Sequence, residues 1–574
     1  MRLTDIKIEN FRGIRSLRVD FDTLTVLIGE NNIGKSTVLE AIRLVLTRGG
    51  GSRREFRFSE YDFHLPNADS TPQTASPISI TLHFAEQHED EWSDAITQQL
   101  SEVIQLGTDG RNHIWFQATG FFQTESGSFE TKSEFLNNNG EYLTFKNKNT
   151  SLNLLTRLVP LFFLSALRDA SQEFGQRGQF WGGFLKSIQL PDDRRKQIEE
   201  MLREVNTSVI GANEGLTEVV KKIADAGRFV SLPSTEPVVL EAVPTRVFDM
   251  VGKIHVHLKS HCDSKIPLNR HGEGTQSLAV LMLFKAFVSV NLKDVYLPES
   301  TPLLVLEEPE AHLHPSAVRS LGTFLGEPME GQIIVASHSG NLISHIPITS
   351  LRRLYLENGE TKVGQVQKDL FEDWELQAID YDIRLTKGHY LFSRCWLLVE
   401  GKTEFYLMPL LLEIMGFSQD QVSISVVEIS QAKGKGEPFL KLANALGIPW
   451  IHMADGDVAG QEYGDRAKKH LAVDISNRTR ILPHKNIELE LWHNGYEKFI
   501  ESFVPDSRKK QITVESAEDS DKRIEKIIKS AVKQVGGKPS FALKLADEIK
   551  RRGKDTIPQS LKSIITDMVQ LTKE

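Results

Sequence analysis

The chain has 574 residues, of which 40% are hydrophobic and 25% are charged, as in ordinary globular proteins. This length exceeds what one hydrophobic core supports and predicts about three or four domains. The two cysteines, Cys262 and Cys395, lie far apart without C-x-x-C spacing, which argues against a zinc ribbon or a disulfide framework. The N-terminus begins as a strand, and no apolar run approaches the roughly 18 residues that span a bilayer, so we expect a cytoplasmic protein without membrane contacts. The net charge of −9 gives no overall attraction to nucleic acid, so any DNA contact depends on local basic patches or metal ions.

The segment 24–37 joins an apolar strand to a glycine-bounded loop and then to a helix. Gly29, Gly34, Lys35 and Ser36 fit the phosphate-binding pattern G-x-x-x-x-G-K-[ST], in which backbone N–H groups surround the phosphates. Lys35 is expected to reach the β- and γ-phosphates, and Ser36 to bind magnesium. A glycine-rich turn that matches by chance is the alternative, but the flanking strand and helix argue against it. The residues predicted to bind ATP here are Asn31, Asn32, Gly34, Lys35, Ser36 and Thr37.

The remaining chain is organised around this loop. Alternating segments before it predict a β-rich start, and residues 1–170 are expected to form the first part of an ATPase domain. Charged helical patterns interrupt the strand patterns over residues 171–240, where we expect an inserted helical arm that contributes to dimerisation. Residues 241–375 then complete the ATPase domain. A new pattern begins near residue 390 and continues to residue 574.

A weak motif opens the second ATPase part. Gly274 and Gln276, in the segment Gly272-Glu-Gly-Thr-Gln276, resemble the ABC signature L-S-G-G-Q, of which the glycine pair and the glutamine remain. A glycine cluster in a loop explains this segment equally well by itself. We expect both residues to contact ATP.

The segment Leu303-Leu-Val-Leu-Glu-Glu308 predicts a buried strand that delivers two carboxylates to its C-terminal end, as in a Walker B motif. Glu307 is expected to hold magnesium, directly or through water, and Glu308 to polarise the attacking water. A pair of surface glutamates is the alternative, and the four preceding apolar residues make it a poor one.

Two further ATPase elements follow. The segment 309–315 resembles the D-loop that crosses to the second subunit; reading its His312 and His314 as metal ligands is disfavoured, because no further cysteine or histidine cluster accompanies them. The segment Gln332-Ile-Ile-Val-Ala-Ser-His338 predicts a second buried strand, and His338 suits the switch residue that senses the γ-phosphate, although a buried, capped histidine is the alternative. ABC-type heads hydrolyse ATP between two subunits, which implies at least a homodimer.

The pattern after residue 390 predicts a β-α-β-α-β unit. One strand ends on Glu400, the helix after it contains Glu404, and a later strand ends on Asp455-Gly-Asp457. Ligands gather beyond the carboxyl ends of such parallel strands, so Glu400, Glu404, Asp455 and Asp457 are expected around one crevice. Crowded carboxylates repel each other unless cations lie between them, and oxygen ligands of this kind suit magnesium or manganese. A D-x-D pair alone is often a loop feature; its combination with the two glutamates favours a metal site.

These motifs together resemble the overcoming-lysogenization-defect (OLD) family, in which an ABC ATPase of the SMC and RecF kind precedes a C-terminal Toprim nuclease domain. The resemblance covers nearly the whole chain and implies an α/β fold, with residues 390–574 forming the Toprim nuclease domain and its C-terminal helical extension. It assigns Glu400 and Glu404 to the family motif V-E-G-x-x-E and Asp455 and Asp457 to its D-x-D. Glu488 resembles a later acidic metal ligand, with Glu490 as a competing choice, and Lys538 resembles a catalytic lysine ahead of the final helix. No Q-loop glutamine is assignable, and the arm carries no motif that matches.

The resemblance implies metal-dependent cleavage of DNA, with ATP and one Mg²⁺ in the ATPase and two Mg²⁺ or Mn²⁺ ions in the Toprim domain. It also points to prokaryotic defence against phage, where relatives act alone, with a helicase or with a retron reverse transcriptase and its DNA. The main alternative is a non-nucleolytic ATPase clamp whose Toprim domain is a docking module. A primase usually needs a zinc ribbon that two cysteines cannot form, and a topoisomerase needs a tyrosine-bearing domain for which little chain is left.

Overall fold

The computed structural model describes the chain except for residues 48–56, 68, 166–189, 227–240, 252–256, 260–264, 273, 277, 280, 283, 284, 287–296, 298, 312, 387, 430–435, 471–477, 516–519 and 574. Within the described residues the strands are, in chain order, β1 (Arg2–Phe11), β2 (Ile14–Asp20), β3 (Leu24–Ile28), β4 (Ile78–Ala85), β5 (Gln105–Leu106), β6 (Asn112–Gln123), β7 (Ser128–Leu136), β8 (Leu161–Ser165), β9 (His257–Lys259), β10 (Lys265–Pro267), β11 (Leu303–Glu307), β12 (Gln332–Ala336), β13 (Leu351–Glu357), β14 (Glu360–Gln365), β15 (Cys395–Val399), β16 (Ile424–Glu428), β17 (Trp450–Ala454) and β18 (Thr479–Ile481). The α-helices of the same residues span Lys35–Leu46, Asp94–Gln99, Lys148–Leu158, Asp192–Gly211, Glu214–Ala226, Val247–Val251, Pro315–Gly326, Gly340–Ile343, Asp373–Thr386, Lys402–Ile414, Gln419–Val422, Glu437–Ala445, Val458–Lys468, Ile487–Leu491, Glu497–Ser502, Asp506–Glu515, Ser520–Gln534, Lys538–Arg552 and Gln559–Leu571.

An antiparallel sheet forms one layer of the N-terminal part, with strand order β2-β1-β4-β6-β5 and with β7 paired to β6. The predicted alternation is visible in β1, where Ile6 and Ile8 are buried and Lys7 between them is exposed. The strands β6 and β7 form a long antiparallel hairpin over residues 112–136.

A second sheet carries the nucleotide motifs, with strand order β14-β13-β3-β12-β11-β8. All neighbouring pairs from β13 to β8 are parallel, whereas β14 is an antiparallel edge strand. The carboxyl ends of β3, β12 and β11 therefore meet at one edge of the sheet. This arrangement brings the phosphate loop, His338 and Glu307 together, as the sequence predicts.

The helix Lys35–Leu46 lies between the two sheets, because its apolar positions recur on more than one side. It packs into a cluster that includes strand residues of the first sheet and of the second, namely Val38, Leu39, Ile42, Ile8, Ile80, Val305 and Ile334. All seven side chains are fully buried. The position of this helix is therefore set by two layers of structure.

The C-terminal part contains a parallel sheet with strand order β16-β15-β17-β18. The predicted β-α-β-α-β unit is confirmed, with small changes of boundary. The middle strand of the unit spans Ile424–Glu428, and a short helix that ends at Val422 precedes it. Lys538 was predicted ahead of the final helix, and this prediction is wrong on two points: Lys538 is the first residue of the helix Lys538–Arg552, and the helix Gln559–Leu571 follows.

The predicted arm is helical where it is described. The helices Asp192–Gly211 and Glu214–Ala226 follow one another and pack together, while residues 171–189 and 227–240 of the predicted arm lie outside the described residues. No helix in the described part of the chain is long and apolar enough to cross a bilayer.

One hydrophobic cluster joins the N-terminal and C-terminal parts. It contains buried side chains from the second sheet and from the C-terminal sheet, among them Val26, Leu304, Val335, Trp396, Leu398 and Val427. A different cluster lies on the other side of the C-terminal sheet and contains the helices Lys402–Ile414 and Lys538–Arg552. One face of the C-terminal sheet therefore belongs to a cluster that also contains the ATP-motif sheet and residues of the helices Asp373–Thr386 and Glu437–Ala445, and the other face packs against its own helices.

Candidate functional site

The phosphate loop has a backbone that depends on glycine at two positions. Gly29 has φ +142°, and a β-carbon there would collide with the carbonyl oxygen of Leu354 on β13. Gly34 has φ +109° and precedes the first turn of the helix, where Lys35, Ser36 and Thr37 lie. The loop therefore presents a helix N-terminus next to closely packed strands, which is the geometry that binds phosphate.

Lys35 lies inside this loop with 5% of its surface exposed. Its Nζ donates to the carbonyl oxygens of Gly29 and Glu30, each at 2.7 Å. Burial lowers the pKa of Lys35 to about 8, although the charges of Glu308, Glu310 and Glu30 act in the opposite direction. The ammonium is thus held at the centre of the loop, within reach of acids from the neighbouring strands.

Glu307 ends β11, and Glu308 turns the chain away from the sheet with φ +46°. The amide of Glu308 donates to the Ala336 carbonyl at the end of β12, at 2.9 Å. Its carboxylate Oε1 lies 2.8 Å from Nε2 of His338. Two residues predicted separately as the water-polarising acid and the switch histidine are therefore in direct contact.

Glu310 is a residue of this site that sequence reasoning missed. Its Oε1 accepts from Ser337 Oγ at 2.6 Å and from the His338 amide at 2.8 Å, while its buried Oε2 has no hydrogen-bond partner among the described residues. The signal was present as a third acid in the run from Glu307 to Glu310. Glu310 fixes the backbone from which the His338 side chain extends.

The remaining ATPase predictions are placed as follows. Gly274 and Gln276 lie in a described helical turn, where the Gln276 amide donates to the His271 carbonyl at 2.6 Å, and their contact with ATP stays a prediction. His314 caps the helix Pro315–Gly326 through its contacts with Ser316, so the disfavoured metal alternative gains no support there. His312 lies outside the described residues. Asn31 and Asn32 are exposed on the phosphate loop.

A second site lies at the carboxyl edge of the C-terminal sheet. Glu400 follows β15 and Asp455 follows the neighbouring β17, and Glu400 Oε1 accepts from the Asp455 amide at 3.2 Å. Glu404 is 2% exposed in the first turn of the helix Lys402–Ile414. Asp457 lies at the rim, where its Oδ1 accepts from the Gly460 amide at 2.8 Å and caps the helix Val458–Lys468. The sheet thus brings together the four predicted carboxylates.

The electrostatics of this crevice disfavour negative charge. Burial raises the pKa of Glu400 to about 7 and that of Asp455 to about 7, and neighbouring carboxylates add to both shifts. Burial also raises the pKa of Glu404, reinforced by the charges of Glu488 and Asp455. A group of carboxylates with raised pKa values is stabilised in its ionised form by cations.

Glu488 and Glu490 lie in the same short helix, Ile487–Leu491, and both are buried. Glu488 Oε1 accepts from Thr403 Oγ1 at 2.6 Å, beside Glu404. Glu490 instead accepts from Ser560 Oγ at 2.6 Å and lies 2.5 Å from His484 Nδ1. Of the two competing glutamates, Glu488 therefore lies with the crevice carboxylates.

Lys538 contacts the same group from the start of its helix. Its Nζ lies 3.7 Å from Glu488 Oε1, and its side chain is 48% exposed. Its positive charge acts to lower the pKa of Glu404 and of Asp455. Lys538 thus lies at the edge of the crevice between the carboxylates and solvent.

The donor set fits divalent cations such as Mg²⁺ or Mn²⁺, which prefer carboxylate oxygens. Glu404 Oε2 is buried without a hydrogen-bond partner in the described part of the chain, an arrangement that a cation would relieve. No three carboxylate, imidazole or thiol side chains of the described residues are arranged as a ready-made metal cage. The fit therefore rests on the chemistry of the donors.

The fold and the two sites define an ABC-type ATPase head joined to a Toprim domain. Residues 1–343 match the AAA ATPase domain family, and residues 391–457 match the Toprim domain of overcoming-lysogenization-defect-like proteins. The chain therefore belongs to the OLD family.

Named relatives extend over most of the chain. It is 27% identical to the uncharacterized protein YbjD of Escherichia coli (strain K12), covering 100% of this chain and 99% of that protein. It is 24% identical to the Old nuclease of Escherichia phage P2, covering 92% and 89%. It is 21% identical to the endonuclease GajA of Bacillus cereus (strain VD045), covering 80% and 76%. Among solved structures, an Smc head domain from Pyrococcus furiosus matches 67% of this chain and 99% of its own at 14% identity, with a TM-score of 0.40.

Proposed function

We propose that this chain is an ATP-binding and ATP-hydrolysing, metal-dependent DNA endonuclease that hydrolyses phosphodiester bonds in the Toprim crevice. The observation that carries the proposal is the meeting of Glu400, Glu404, Asp455 and Glu488 at one sheet edge, with raised pKa values at the first three. Such a group has little structural reason to exist without cations. The names of two relatives, an Old nuclease and an endonuclease, agree with this assignment.

In this proposal Glu400, Glu404, Asp455, Asp457 and Glu488 hold two divalent ions. The chemistry that two such ions supply when bound is activation of water and stabilisation of the leaving oxygen. The carboxylates would hold these ions in the crevice, and the positive charge of the ions would offset the repulsion between the carboxylates and the DNA phosphate. Lys538 faces the same group from the solvent side and places a positive charge where the phosphate gains negative charge.

The ATPase part is proposed to gate this reaction instead of driving it, since phosphodiester hydrolysis is already downhill. Lys35, Ser36 and Glu307 bind ATP and its magnesium ion, and Glu308 polarises the attacking water beside His338. Gly274 and Gln276 are proposed to reach the nucleotide of a second copy, so that the active form is a homodimer or a larger assembly.

The test compares two neighbouring glutamates. Cleavage of plasmid DNA with Mg²⁺ or Mn²⁺ is measured for the wild type, Glu488→Gln and Glu490→Gln. Both side chains are buried and keep their size in the variants, but Glu490 is paired with His484 and Ser560. We expect Glu488→Gln to lose at least about 10²-fold in cleavage rate, since a ligand contributes more than the outer partners of a metal site.

Glu490→Gln is the matched control and should cleave at close to the wild-type rate. Cleavage that is independent of metal would contradict the metal-dependent mechanism, and equal cleavage rates for the wild type and Glu488→Gln would remove Glu488 from the metal site. Absence of cleavage by the wild type with either ion would contradict the nuclease assignment and favour the ATPase clamp, in which the Toprim domain is a docking module.

The biological role proposed from the family is defence against phage. A helicase or a retron reverse transcriptase with its DNA is the kind of partner that relatives of this family suggest. Plating efficiency of phages on cells with the wild type or with Glu488→Gln tests this role. Co-purification from the native operon, with sequencing of bound nucleic acid, identifies the partner.

A further inference from the structure

The phosphate loop and the Toprim domain are in direct contact through an ion pair. Arg394 Nε donates to Glu30 Oε1, and Arg394 Nη2 donates to Glu30 Oε2 at 2.6 Å. Glu30 is a residue of the phosphate loop, and 364 positions separate it from Arg394 in the chain. A bidentate pair of this kind fixes the relative orientation of the two side chains in addition to attracting them.

Each partner is adjacent to a residue with an assigned role. The carbonyl of Glu30 accepts from Lys35 Nζ at 2.7 Å, so the same residue contacts the phosphate-binding lysine and Arg394. Arg394 directly precedes β15, the strand that ends before Glu400. One strand length therefore separates the ion pair from the acidic crevice.

A second arginine fixes the geometry around this pair. Arg353 of β13 is 4% exposed and donates to four carbonyl oxygens, those of Leu391, Ser393, Leu446 and Gly447, at 2.9 to 3.2 Å. In the sheet it lies opposite Ile28, the last residue before the phosphate loop. The carbonyl oxygen of Leu354, the next residue of β13, occupies the space that a β-carbon on Gly29 would need. The strand β13 therefore packs against the phosphate loop and, through Arg353, also binds segments of the Toprim domain.

We propose that the Glu30–Arg394 pair transmits nucleotide occupancy of the phosphate loop to the start of β15, so that Arg394 is a positioning residue for both sites. Bound phosphates compete for Lys35 Nζ with the carbonyls of Gly29 and Glu30. Loss of that contact changes the position of Glu30, and the bidentate pair transfers this change to Arg394. The inference rests on the proposed function, since it concerns regulation of the proposed nuclease site.

The test measures hydrogen exchange of the amides of residues 394–404, with and without a saturating non-hydrolysable ATP analogue. In the wild type we expect the analogue to change their exchange by about fivefold or more, the lower end of ordinary coupling between sites. Arg394→Ala should remove this effect at an analogue concentration that also saturates the variant. Persistence of the change in Arg394→Ala, or its absence from the wild type, would overturn the proposal.

The matched control is Arg480→Ala. Arg480 pairs with Asp567 at 2.7 Å within the Toprim domain, and both pairs are partly exposed, with 30% exposure for Arg480 and 47% for Arg394. Loss of the Arg480 side chain should leave the nucleotide effect intact. A double-mutant cycle on the affinity for the analogue adds a second readout. Removal of both the Glu30 and Arg394 side chains should lower this affinity no more than removal of either side chain alone. Additive costs would mean that the two residues act independently.

These measurements do not require DNA cleavage. A nucleotide effect on residues 394–404 in a protein that cleaves no DNA would refute the nuclease and leave the coupling standing. Cleavage without any nucleotide effect on this segment would refute the coupling alone.

Discussion

His338 Nε2 lies 2.8 Å from Glu308 Oε1, which places the histidine after one central strand against the carboxylate after its neighbour. The contact gives the acid a fixed orientation toward the phosphate loop. Glu310 supports it from behind by accepting from the His338 amide at 2.8 Å. The three residues form one hydrogen-bonded unit, and mutation can test separately the role proposed for each in ATP hydrolysis.

Glu308→Gln is expected to bind ATP normally and to hydrolyse it on the order of 10²-fold or more slowly, because general base catalysis is lost while the phosphate loop is intact. ATP affinity and single-turnover hydrolysis are the measurements. Lys35→Ala serves as the contrasting variant and should lose nucleotide affinity. Wild-type turnover in Glu308→Gln would show that the catalytic carboxylate lies elsewhere.

Asp455→Ala and Glu400→Ala are expected to abolish DNA cleavage while ATP hydrolysis continues, because the two residues follow strands of a different sheet from the nucleotide motifs. Cleavage should require Mg²⁺ or Mn²⁺ and stop on addition of a chelator. The ATPase rates of the same preparations report on folding. Full cleavage by Asp455→Ala would remove this carboxylate from the site.

The raised pKa values predict how stability changes with pH. Asp455 and Glu400 hold their protons more tightly in the folded protein, with pKa values of about 7, than in the unfolded chain. Without metal ions, the free energy of unfolding should therefore decrease as pH rises from about 4 to about 7, and these groups should change it little above that range. Ions bind the deprotonated form, so Mn²⁺ should raise the melting temperature more at about pH 8 than at about pH 5.5.

Asp455→Asn is the control for this pH effect. It removes one of the titrating groups and one metal ligand, so both the pH-dependent loss of stability and the Mn²⁺-dependent gain should become smaller. An equal Mn²⁺ effect at both pH values in the wild type would contradict the placement of these ions among the crevice carboxylates.

Lys538→Ala should lower the DNA cleavage rate on the order of 10²-fold at saturating Mg²⁺, as loss of one donor to a developing charge does in other enzymes. Lys544→Ala is the matched control on the same helix, since Lys544 lies over the ring of Phe503 and not beside Glu488. Metal affinity should change little. Equal rates for Lys538→Ala and the wild type would leave the carboxylates alone in the site.

Arg353→Ala should destabilise the protein by at least about 3 kcal/mol, because each buried carbonyl left without a hydrogen-bond donor costs about 1 to 3 kcal/mol. Urea unfolding measures this loss. Arg15→Ala removes an exposed pair with Glu360 and should change stability by less than about 1 kcal/mol. A small effect of Arg353→Ala would mean that water replaces the lost donors.

The strands and helices that carry the motifs were predictable because their signals are local. Runs such as Leu303–Leu306 are buried on both faces, and continuous apolar sequence is what such a parallel strand requires. The choice between Glu488 and Glu490 was not predictable, since both are buried in one short helix and their partners, Thr403 and Ser560, are distant in sequence.

Contacts between the two domains had no sequence signal at all. Glu30 and Arg394 are ordinary surface residues by type, and their pairing depends on how two sheets pack. Arg353 and its neighbour Arg352 interrupt an apolar strand, which is a weak sign of a special role. The four carbonyl partners of Arg353 lie in a 3-10 helix or at helix C-termini, and no periodicity identifies them as partners. The position of Glu310 as a third acid after Glu307 and Glu308 was visible in the sequence, but its contacts with Ser337 and the His338 amide depend on the neighbouring strand β12.

The hydrophobic cluster shared by the second sheet and the Toprim sheet has a thermodynamic consequence. Side chains such as Val335 and Trp396 lose their packing together, so the ATPase part cannot melt without exposing apolar surface of the Toprim part. Cooperative units are defined by shared buried surface and not by sequence boundaries. We therefore expect calorimetry to show that the two sheets unfold in one heat-absorption peak, without a separate transition for the parts before and after residue 390.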